Sequence, residues 1–436
     1  MKRGFYTIMS AQFFSSLADN ALFVCAVQLL RTEGAPEWQQ AALVPMFALF
    51  YVILAPYVGA FADSRPKGDV MLVSNSIKVV GCLMMLFGSH PLAAYAIVGL
   101  GAAAYSPAKY GILTELLPPS QLVKANGWIE GLTIASIILG VLLGGQLVGP
   151  AVASGLLAID IPGFETGIDT APEAAIALLI MVYAIAAWFN TRIPLTGVPM
   201  RPMRADPSRS LGANLIGLLP DFWTCNTRLW RDRLGQISLA TTTLFWGVSG
   251  NLRYIVLAWA AAALGYSVTQ ASSLVGVVAI GTAVGAVVAS VRMKLDQATR
   301  VIPLGIGMGL LVIVLNFIDN VWVAAPFLIL LGGLGGFLVV PMNALLQHRG
   351  HNLMGAGRSI AVQNFNEQAC ILSLGAFYSF TTGIIGLSAF GAITVFGLLV
   401  AVVMMLIYQW YVRNLREDGP EVERLLAIAR NDKLHG

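Results

Sequence analysis

Charge is scarce in this chain, and so are cysteine and histidine. Only 11% of the 436 residues are charged while 57% are hydrophobic, and there are four cysteines and four histidines. Soluble domains keep about a quarter of their residues charged, so this composition excludes an ordinary water-exposed surface and predicts a membrane protein. The four cysteines are Cys25, Cys82, Cys225 and Cys370. They are too scattered for a disulfide or metal framework, and we predict that they serve as small apolar side chains.

Signatures of enzymes are missing too. The sequence has no phosphate-cradling GxxxxGK[ST] segment, and no histidine stands in a His-x4-Asp arrangement of the acyltransferase type. We therefore predict that the protein is not an enzyme, with no catalytic residue, no metal and no cofactor.

Long apolar runs dominate instead. A helix crosses a bilayer core with about 20 predominantly apolar residues, and twelve runs of that kind follow one another. They predict an all-α membrane protein with twelve transmembrane helices, approximately at 5–30, 41–62, 70–89, 92–114, 126–149, 173–192, 235–262, 269–291, 301–318, 322–346, 358–383 and 386–412.

The cations are distributed asymmetrically between the loops. If the N-terminus is cytoplasmic, all but three of the 26 Lys and Arg residues fall on the inside, the exceptions being Arg31, Lys78 and Arg253. The longest outside loop, 150–172, has acidic residues and no cation. This positive-inside bias predicts cytoplasmic termini, and the net charge of +4 reflects orientation, not nucleic-acid binding.

A Pro- and Arg-rich stretch divides the spans into six and six. We predict an N-terminal bundle over 1–192, a cytoplasmic linker over 193–234, a C-terminal bundle over 235–412 and a cytoplasmic tail over 413–436. A short interfacial helix is expected around 212–219 of the linker.

The two halves carry traces of an internal repeat. SLADNALF (16–23) matches SLATTTLF (238–245) at five of eight positions. Pro107 in the fourth span corresponds to Pro341 in the tenth, and we expect both to mark a bend within a helix and not its end. A duplicated six-helix unit is the simplest explanation.

The loop between spans two and three reads GAFADSRPKG. With six plus six helices and an inside linker, it resembles the major facilitator superfamily, which implies two pseudo-symmetric six-helix bundles. Gly59 and Asp63 match the superfamily's loop pattern, while Arg65, Lys67 and Gly68 are displaced by one residue. The resemblance implies that the Asp and the cations pair at an inner gate.

Other residues are expected at the same gate. The offset between Pro107 and Pro341 also carries Lys124 onto Arg358. Lys78 and Glu130 lie within spans near the cytoplasmic face, where a gate pair and a substrate contact are equally plausible.

Several further charges lie inside spans, where each costs about 2.5–3.5 kcal/mol on insertion scales. Asp19 and Asn20 lie on span one, Lys109 on span four and Arg253 on span seven. Asp19 and Arg253 could pair across a central cavity, either to bind substrate or to hold the halves together. Lys109 could line the cavity or extend its ammonium to the headgroups.

The segment VQNFNEQ (362–368) on span eleven concentrates polar residues. Gln363, Asn364, Glu367 and Gln368 fall largely on one helical face, and four polar groups facing lipid would be prohibitively unfavourable. We therefore predict a water-filled cavity with Glu367 as an acceptor near mid-membrane.

Such a cavity suits a substrate with a phosphate and an ammonium group. Arg donates two parallel hydrogen bonds to phosphate, and a carboxylate can hold an ammonium. Zwitterionic sugars, peptides and cationic drugs fit the same charges, so the residues alone leave the substrate class open.

Longer segments, spread over nearly the whole chain, closely resemble the bacterial lysophospholipid transporters. This resemblance narrows the choice of substrate class. The segments are FFSSLADNALF, APYVGAFADS, GLGAAAYSPAKYGILTEL, LVKANGWIEG, TTLFWGVSGNLR, GGFLVVPMNALLQHRG and GAGRSIAVQNFNEQ.

This resemblance implies a flippase of the bacterial inner membrane. It would move lysophosphatidylethanolamine and lysophosphatidylglycerol from the outer to the inner leaflet without ATP. An acyltransferase/acyl-carrier-protein synthetase would then re-acylate them. Asp19, Asn20, Lys109 and Arg253 match family positions expected to contact or gate the headgroup, and we expect a monomer surrounded by membrane lipids.

Two other functions compete with this one. A proton-coupled exporter of drugs or small metabolites would use Asp19 or Glu367 as its protonation site. A non-transporting scaffold for the acyltransferase would not need buried polar groups.

Overall fold

The structure, a computed structural model, is helical almost throughout. It describes residues 3–159, 167–266 and 268–432, and the side chains of Arg3, Glu37, Trp38, Ala41, Arg253, Val268 and Thr269 lie outside this description. Within it are the α-helices α1 (Arg3–Thr32), α2 (Glu37–Ile53), α3 (Ala55–Ser64), α4 (Lys67–Leu86), α5 (Pro91–Leu116), α6 (Pro119–Leu147), α7 (Pro150–Leu157), α8 (Ala171–Asn190), α9 (Leu211–Arg231), α10 (Gly235–Leu264), α11 (Val268–Arg292), α12 (Ile302–Val314), α13 (Val321–Met354), α14 (Ala356–Gly383) and α15 (Ala389–Arg430).

Each of the twelve predicted spans coincides with one of these helices or, for 41–62, with a pair of them. Among the described residues, eight helices are long and apolar enough to cross a membrane, and the pair α2 and α3 makes a ninth. α5, α10 and α14 are not among them, and α5 and α14 are the helices that carry Lys109 and the polar segment 362–368. The polar residues of α5 and α14 lower the mean hydropathy of these two helices.

The second span is broken, whereas the sequence predicted one continuous helix over 41–62. α2 and α3 meet at Leu54 with a bend of 65°. Pro56 lies in the first turn of α3; it has no N–H to donate to α2, and in a continuous helix its ring would clash with the carbonyl one turn earlier. By contrast, α5 and α13 continue past Pro107 and Pro341, so neither proline ends its helix, as predicted.

The linker holds a longer helix than the predicted 212–219. α9 runs for 21 residues, and its buried face repeats at helical spacing through Leu218, Phe222, Cys225 and Leu229. In the outside loop, α7 was not predicted, and the acidic residues Asp160 and Glu165 lie outside the described residues. In the tail, α15 continues to Arg430 across a non-helical residue, Asp418.

The helices form two compact units. The first comprises Met1–Glu115, Ala135–Phe222 and Ala356–Ala361, and the second comprises Leu116–Ile134, Trp223–Gly355 and Val362–Gly436. One boundary falls inside α9, within the predicted linker. Residues 119–134 of α6 and residues 356–361 of α14 belong to the unit formed mainly by the other half of the chain.

Each unit has its own apolar core. In the first unit, Leu22, Leu30, Ile176 and Tyr183 are fully buried where α1 packs on α8. In the second, the buried core includes Val256, Trp259, Ile393 and Phe396 of α10 and α15. The Trp259 indole satisfies its N–H by donating to the carbonyl of Leu315 at 3.1 Å.

Glycines bring α11 and α13 into direct backbone contact. A Cβ at Gly285 would overlap the carbonyl oxygen of Gly333, and one at Gly336 would overlap that of Thr282. Lipid tails are as apolar as leucine side chains, so helices in a bilayer associate largely through such close packing.

We expect Gly285→Ala to destabilise the second unit, because the added methyl group meets backbone that cannot rotate away. Overpacking of this kind costs about 1–3 kcal/mol. Thermal unfolding of the detergent-solubilised protein measures it, with Gly276→Ala on the same helix as control, where a Cβ meets nothing within 4 Å. Equal unfolding temperatures for both variants would show that the contact is not tight.

Candidate functional site

A buried ion pair lies in the first unit between α1 and α4. The Lys78 ammonium is 2.7 Å from Asp19 Oδ2, and the Tyr183 hydroxyl donates to Oδ1 of the same carboxylate at 2.6 Å. The Lys78 side chain is 1% exposed and that of Asp19 is 18% exposed. The carboxylate is therefore the more accessible member of the pair.

A polar shell supports Lys78 from several helices. Its ammonium also donates to Ser15 Oγ at 2.9 Å, and the Ser15 hydroxyl donates to Asn75 Oδ1 at 2.7 Å. The Tyr105 ring lies with its centroid 5.0 Å from the ammonium, in cation–π range. A buried charge is tolerated when its hydrogen bonds are satisfied in this way.

This arrangement differs from the pairing considered for Asp19. The sequence suggested Arg253 as its partner, but the Arg253 side chain lies outside the described residues. Lys78, which was expected at the gate or in contact with substrate, binds Asp19 instead. Asn20 donates to the Ser16 carbonyl of its own helix at 2.7 Å.

The second unit contains a polar cluster on α14. The Gln363 amide donates to Glu367 Oε1 at 2.7 Å and to Asn343 Oδ1 on α13 at 3.0 Å, and the three side chains are buried. Thr242 of α10 lies close to Glu367, and its hydroxyl donates to the carbonyl of Leu239 in its own helix at 3.2 Å. Gln363 and Glu367 thus share a face as predicted, and the partners of Glu367 named here are neutral.

Other members of the 362–368 segment point elsewhere. Asn366 donates to Asn226 of α9 at 2.8 Å and accepts from the Trp230 indole at 3.2 Å. Asn364 is partly buried. The polar segment therefore serves two purposes, since one face forms the cluster and another attaches α14 to α9.

Lys109 and Glu130 are both buried in the protein. The Lys109 side chain lies with its ammonium 4.1 Å from the Tyr110 ring centroid and is 9% exposed, which does not fit a side chain extended to headgroups. Glu130 is 4% exposed. Both positions were predicted inside spans, and the structure shows them enclosed.

Asp63 organises a second charged network in the first unit, at the start of α14. Its Oδ1 accepts from the Gly357 N–H at 2.7 Å, and its Oδ2 accepts from the Arg358 N–H at 3.0 Å and guanidinium at 3.3 Å. Asp63 therefore caps a helix N-terminus, where the helix dipole favours a negative charge. A Cβ at Gly357 would lie 2.6 Å from Asp63 Oδ1, so the glycine makes the contact possible.

Two further carboxylates complete this network. Lys67 lies 3.0 Å from Glu115 and 3.4 Å from Asp63, and Arg358 donates to Asp221 at 2.9 Å. Of the predicted gate residues, the network joins Asp63, Lys67 and Arg358. Arg65 and Lys124 are exposed and, among the described residues, form no ion pair.

The second unit has a corresponding set of contacts that the sequence did not reveal. Arg349 on α13 binds Asp232 in two hydrogen bonds of 3.0 and 2.7 Å, with both side chains buried. Asn126 and Gln347 exchange amide hydrogen bonds of 3.0 and 2.9 Å. A lone Asp within the RLWRDR run was the available signal for Asp232, because an acid among three cations suggests a partner.

The fold is that of known membrane transporters. The fucose:proton symporter FucP of E. coli superposes with a TM-score of 0.68 at 14% identity, covering 93% of this chain and 98% of that chain. The human organic anion transporter TETRAN superposes with a TM-score of 0.67 at 14% identity, covering 93% and 100%. At such identities the likeness concerns the fold alone.

Sequence comparison is more specific. A model of the Major Facilitator Superfamily matches residues 8–368. The protein named lysophospholipid transporter LplT of Yersinia enterocolitica is 41% identical over 86% of this chain and 87% of its own. LplT of Yersinia pestis is 39% identical over 87% of both chains. The chain therefore belongs to the major facilitator superfamily and, within it, to the family of these LplT proteins.

Proposed function

We propose that this protein transports lysophospholipids. The observation that carries the proposal is the similarity, at about 40% identity over most of the chain, to relatives named lysophospholipid transporter. Lysophosphatidylethanolamine and lysophosphatidylglycerol are the proposed substrates. They move from the outer to the inner leaflet of a bacterial inner membrane, with both termini of the protein in the cytoplasm and without ATP.

The buried polar groups supply the chemistry for a zwitterionic headgroup. Asp19 presents a partly accessible carboxylate to an ammonium, while its contact with Lys78 holds the carboxylate in place. In the second unit, Glu367 and Gln363 provide an acceptor and an amide. Lys109 and Arg253 are proposed to donate to the phosphate, and Asn20 and Asn364 to add neutral hydrogen bonds.

The Asp63 network is proposed to close the cytoplasmic end. Asp63, Lys67 and Arg358 would separate when the substrate passes, with Glu115 and Asp221 holding the cations meanwhile. When the cytoplasmic end opens, several buried contacts between charged groups are replaced by contacts with water. Such a change fits alternation between a closed and an open state and not a pathway that is continuously open. Arg65, Lys124 and Glu130 flank this closure in the proposal.

Within the proposal the protein acts as a monomer in membrane lipid. It delivers its product to an acyltransferase/acyl-carrier-protein synthetase, because a lysophospholipid reaching the inner leaflet needs a second acyl chain.

Uptake of labelled lysophosphatidylethanolamine into spheroplasts tests the headgroup site. Asp19→Ala, Lys109→Ala and Arg253→Ala are each expected to lower uptake about tenfold or more, since a lost charged hydrogen bond of ~1.5–3 kcal/mol corresponds to that factor. Lys294→Ala, on an exposed side chain, is the control and should match wild type. Normal uptake by all three site variants would refute the headgroup site.

A proton-coupled exporter remains a second candidate because Glu367 is a buried carboxylate with neutral hydrogen-bond partners. We expect Glu367→Gln to lower lysophospholipid uptake in wild-type conditions, and we expect dissipation of the proton gradient to leave wild-type uptake unchanged. Wild-type uptake that collapses with the gradient and becomes gradient-independent in Glu367→Gln would favour proton coupling.

A further inference from the structure

Two buried polar groups beside the Lys78–Asp19 pair have no hydrogen-bond partner among the described residues. They are the hydroxyl of Tyr105 on α5 and the side-chain Nδ2 of Asn75 on α4, and both can donate. The two residues belong to the first unit and are 3% and 0% exposed. Nearly all buried polar groups in proteins are paired and an unpaired one costs free energy, so each of these groups needs an explanation.

Both residues lie next to the Lys78 side chain. The centroid of the Tyr105 ring is 5.0 Å from the ammonium nitrogen. Asn75 is connected to it through Ser15, whose hydroxyl accepts from Lys78 at 2.9 Å and donates to Asn75 Oδ1 at 2.7 Å. An ammonium has three N–H bonds, and Asp19 and Ser15 accept from two of them, so Lys78 can donate to one more acceptor. Donors are therefore in excess around this ammonium.

An excess of donors around a cation favours an anionic ligand. A phosphate diester carries a negative charge and several acceptor oxygens, so it can accept from an ammonium, a hydroxyl and an amide together. Lys109, proposed above to donate to the phosphate, lies four residues after Tyr105 on α5. Residues at this spacing are neighbours on one face of a helix. Tyr105 therefore lies between two lysines, Lys78 and Lys109, that can both bind phosphate.

A role in folding does not explain the Tyr105 hydroxyl. A phenylalanine at this position keeps the ring beside the Lys78 ammonium and removes the unpaired group. The hydroxyl thus adds nothing to the stability of the structure described, which leaves a role in binding. A structural water molecule is the other partner that suits a buried hydroxyl, and the experiment below separates the two.

We propose that Lys78, Tyr105 and Asn75 form a binding site for the phosphate of the lipid substrate, an inference that rests on the function proposed above. Asp19 binds the ammonium of lysophosphatidylethanolamine beside it. This headgroup brings one charge of each sign, so Lys78 and Asp19 both keep a counter-charge while it is bound. Lysophosphatidylglycerol has the same phosphate and no ammonium, so it shares only the phosphate contacts.

Tyr105→Phe tests the site with the smallest change. Binding of lysophosphatidylethanolamine and of lysophosphatidylglycerol to the purified full-length protein is measured by calorimetry in a mild detergent. We expect both dissociation constants to rise about tenfold, the factor that corresponds to one hydrogen bond to a charged group. The unfolding temperature without lipid should equal or exceed that of wild type. Tyr6→Phe makes the same exchange at a 60% exposed position and should match wild type with both lipids.

Asp19→Asn provides the contrast between the two halves of the headgroup site. It should weaken binding of lysophosphatidylethanolamine about tenfold and leave that of lysophosphatidylglycerol within about twofold of wild type, because only the first lipid has an ammonium. A loss with both lipids in Tyr105→Phe then assigns its hydroxyl to the phosphate. Unchanged binding by Tyr105→Phe would show that the hydroxyl holds only water, and a loss confined to lysophosphatidylethanolamine would place it at the ammonium. Either result overturns the proposal.

Two further measurements distinguish this inference from the proposed function. If wild type binds neither lipid, the proposed function fails and the site fails with it. Equal affinities in wild type and Tyr105→Phe overturn the site alone. Inorganic phosphate added in excess should not displace the lipids, because burying a free, strongly hydrated anion beside Asp19 is unfavourable. Displacement would assign the site to a free anion and overturn its assignment to the lipid.

Discussion

Lys78→Ala is expected to abolish uptake of lysophosphatidylethanolamine and to destabilise the first unit. The change leaves the Asp19 carboxylate within the helices without its cation, at 2.7 Å in the wild type. Removing one partner of a buried pair costs about 3–5 kcal/mol. Uptake assays and thermal unfolding in detergent measure the two losses.

A double variant separates stability from function. Asp19→Asn with Lys78→Met removes both charges, so we expect most of the stability to return while uptake stays lost, because no carboxylate remains for the headgroup. Near-normal uptake by this double variant would contradict a role for Asp19 in substrate binding. Failure of Lys78→Ala to alter either property would contradict the importance of the pair itself.

Asp63→Ala is expected to have the second-largest effect. It removes the cap from α14 and leaves the buried cations Lys67 and Arg358 short of one carboxylate. The lost cap costs about 0.5–2 kcal/mol, and each unpaired buried charge adds to that. Because the closed state would be weakened most, we expect uptake to fall and Cys225, buried in the wild type, to react faster with a membrane-impermeant thiol reagent added from the cytoplasmic side.

Asp69→Ala provides the matched control, since Asp69 is an exposed aspartate in the first turn of α4. It should leave uptake and thiol reactivity at wild-type values. If Asp63→Ala behaves like Asp69→Ala, the network at α14 is not a closure, and the proposed gate is wrong.

The helices could be predicted from sequence because in lipid nearly every helix must be apolar along its length. Breaks were harder to see. Pro56 ends one helix and begins another, whereas Pro107 and Pro341 are accommodated within α5 and α13. A proline's effect depends on whether neighbouring groups satisfy the freed carbonyl, and one sequence does not contain that information.

The sequence indicated which residues to consider for the candidate site, but it indicated less well which of them contact one another. The cost of a charge in a bilayer singled out Asp19, Lys78 and Glu367 from the sequence alone. Which side chains pair depends both on the rotation of each helix about its axis and on the depth of each residue in the membrane. Because α4 begins at Lys67, Lys78 lies near the middle of this helix and can reach Asp19. Tyr183 gave no signal, because a tyrosine in an apolar run is indistinguishable from core.

The residues of the proposed gate illustrate the same limit. Asp63 and Lys67 stood out because they lie in one short loop pattern, but their partners Glu115 and Asp221 come from a helix end and the linker. Acids at such places are ordinary surface residues in most chains. Only the packing of α3, α4 and α9 around the start of α14 gives them partners.

The most direct measurement uses the purified protein in proteoliposomes without ATP or an ion gradient. Fluorescent lysophosphatidylethanolamine is placed in the outer leaflet and its transfer to the inner leaflet is followed, with the two-chain phosphatidylethanolamine as comparison. We expect rapid transfer of the single-chain lipid, slow transfer of the two-chain lipid, and loss of single-chain transfer in Asp19→Ala. Equal transfer of both lipids, or none beyond protein-free liposomes, would contradict this expectation.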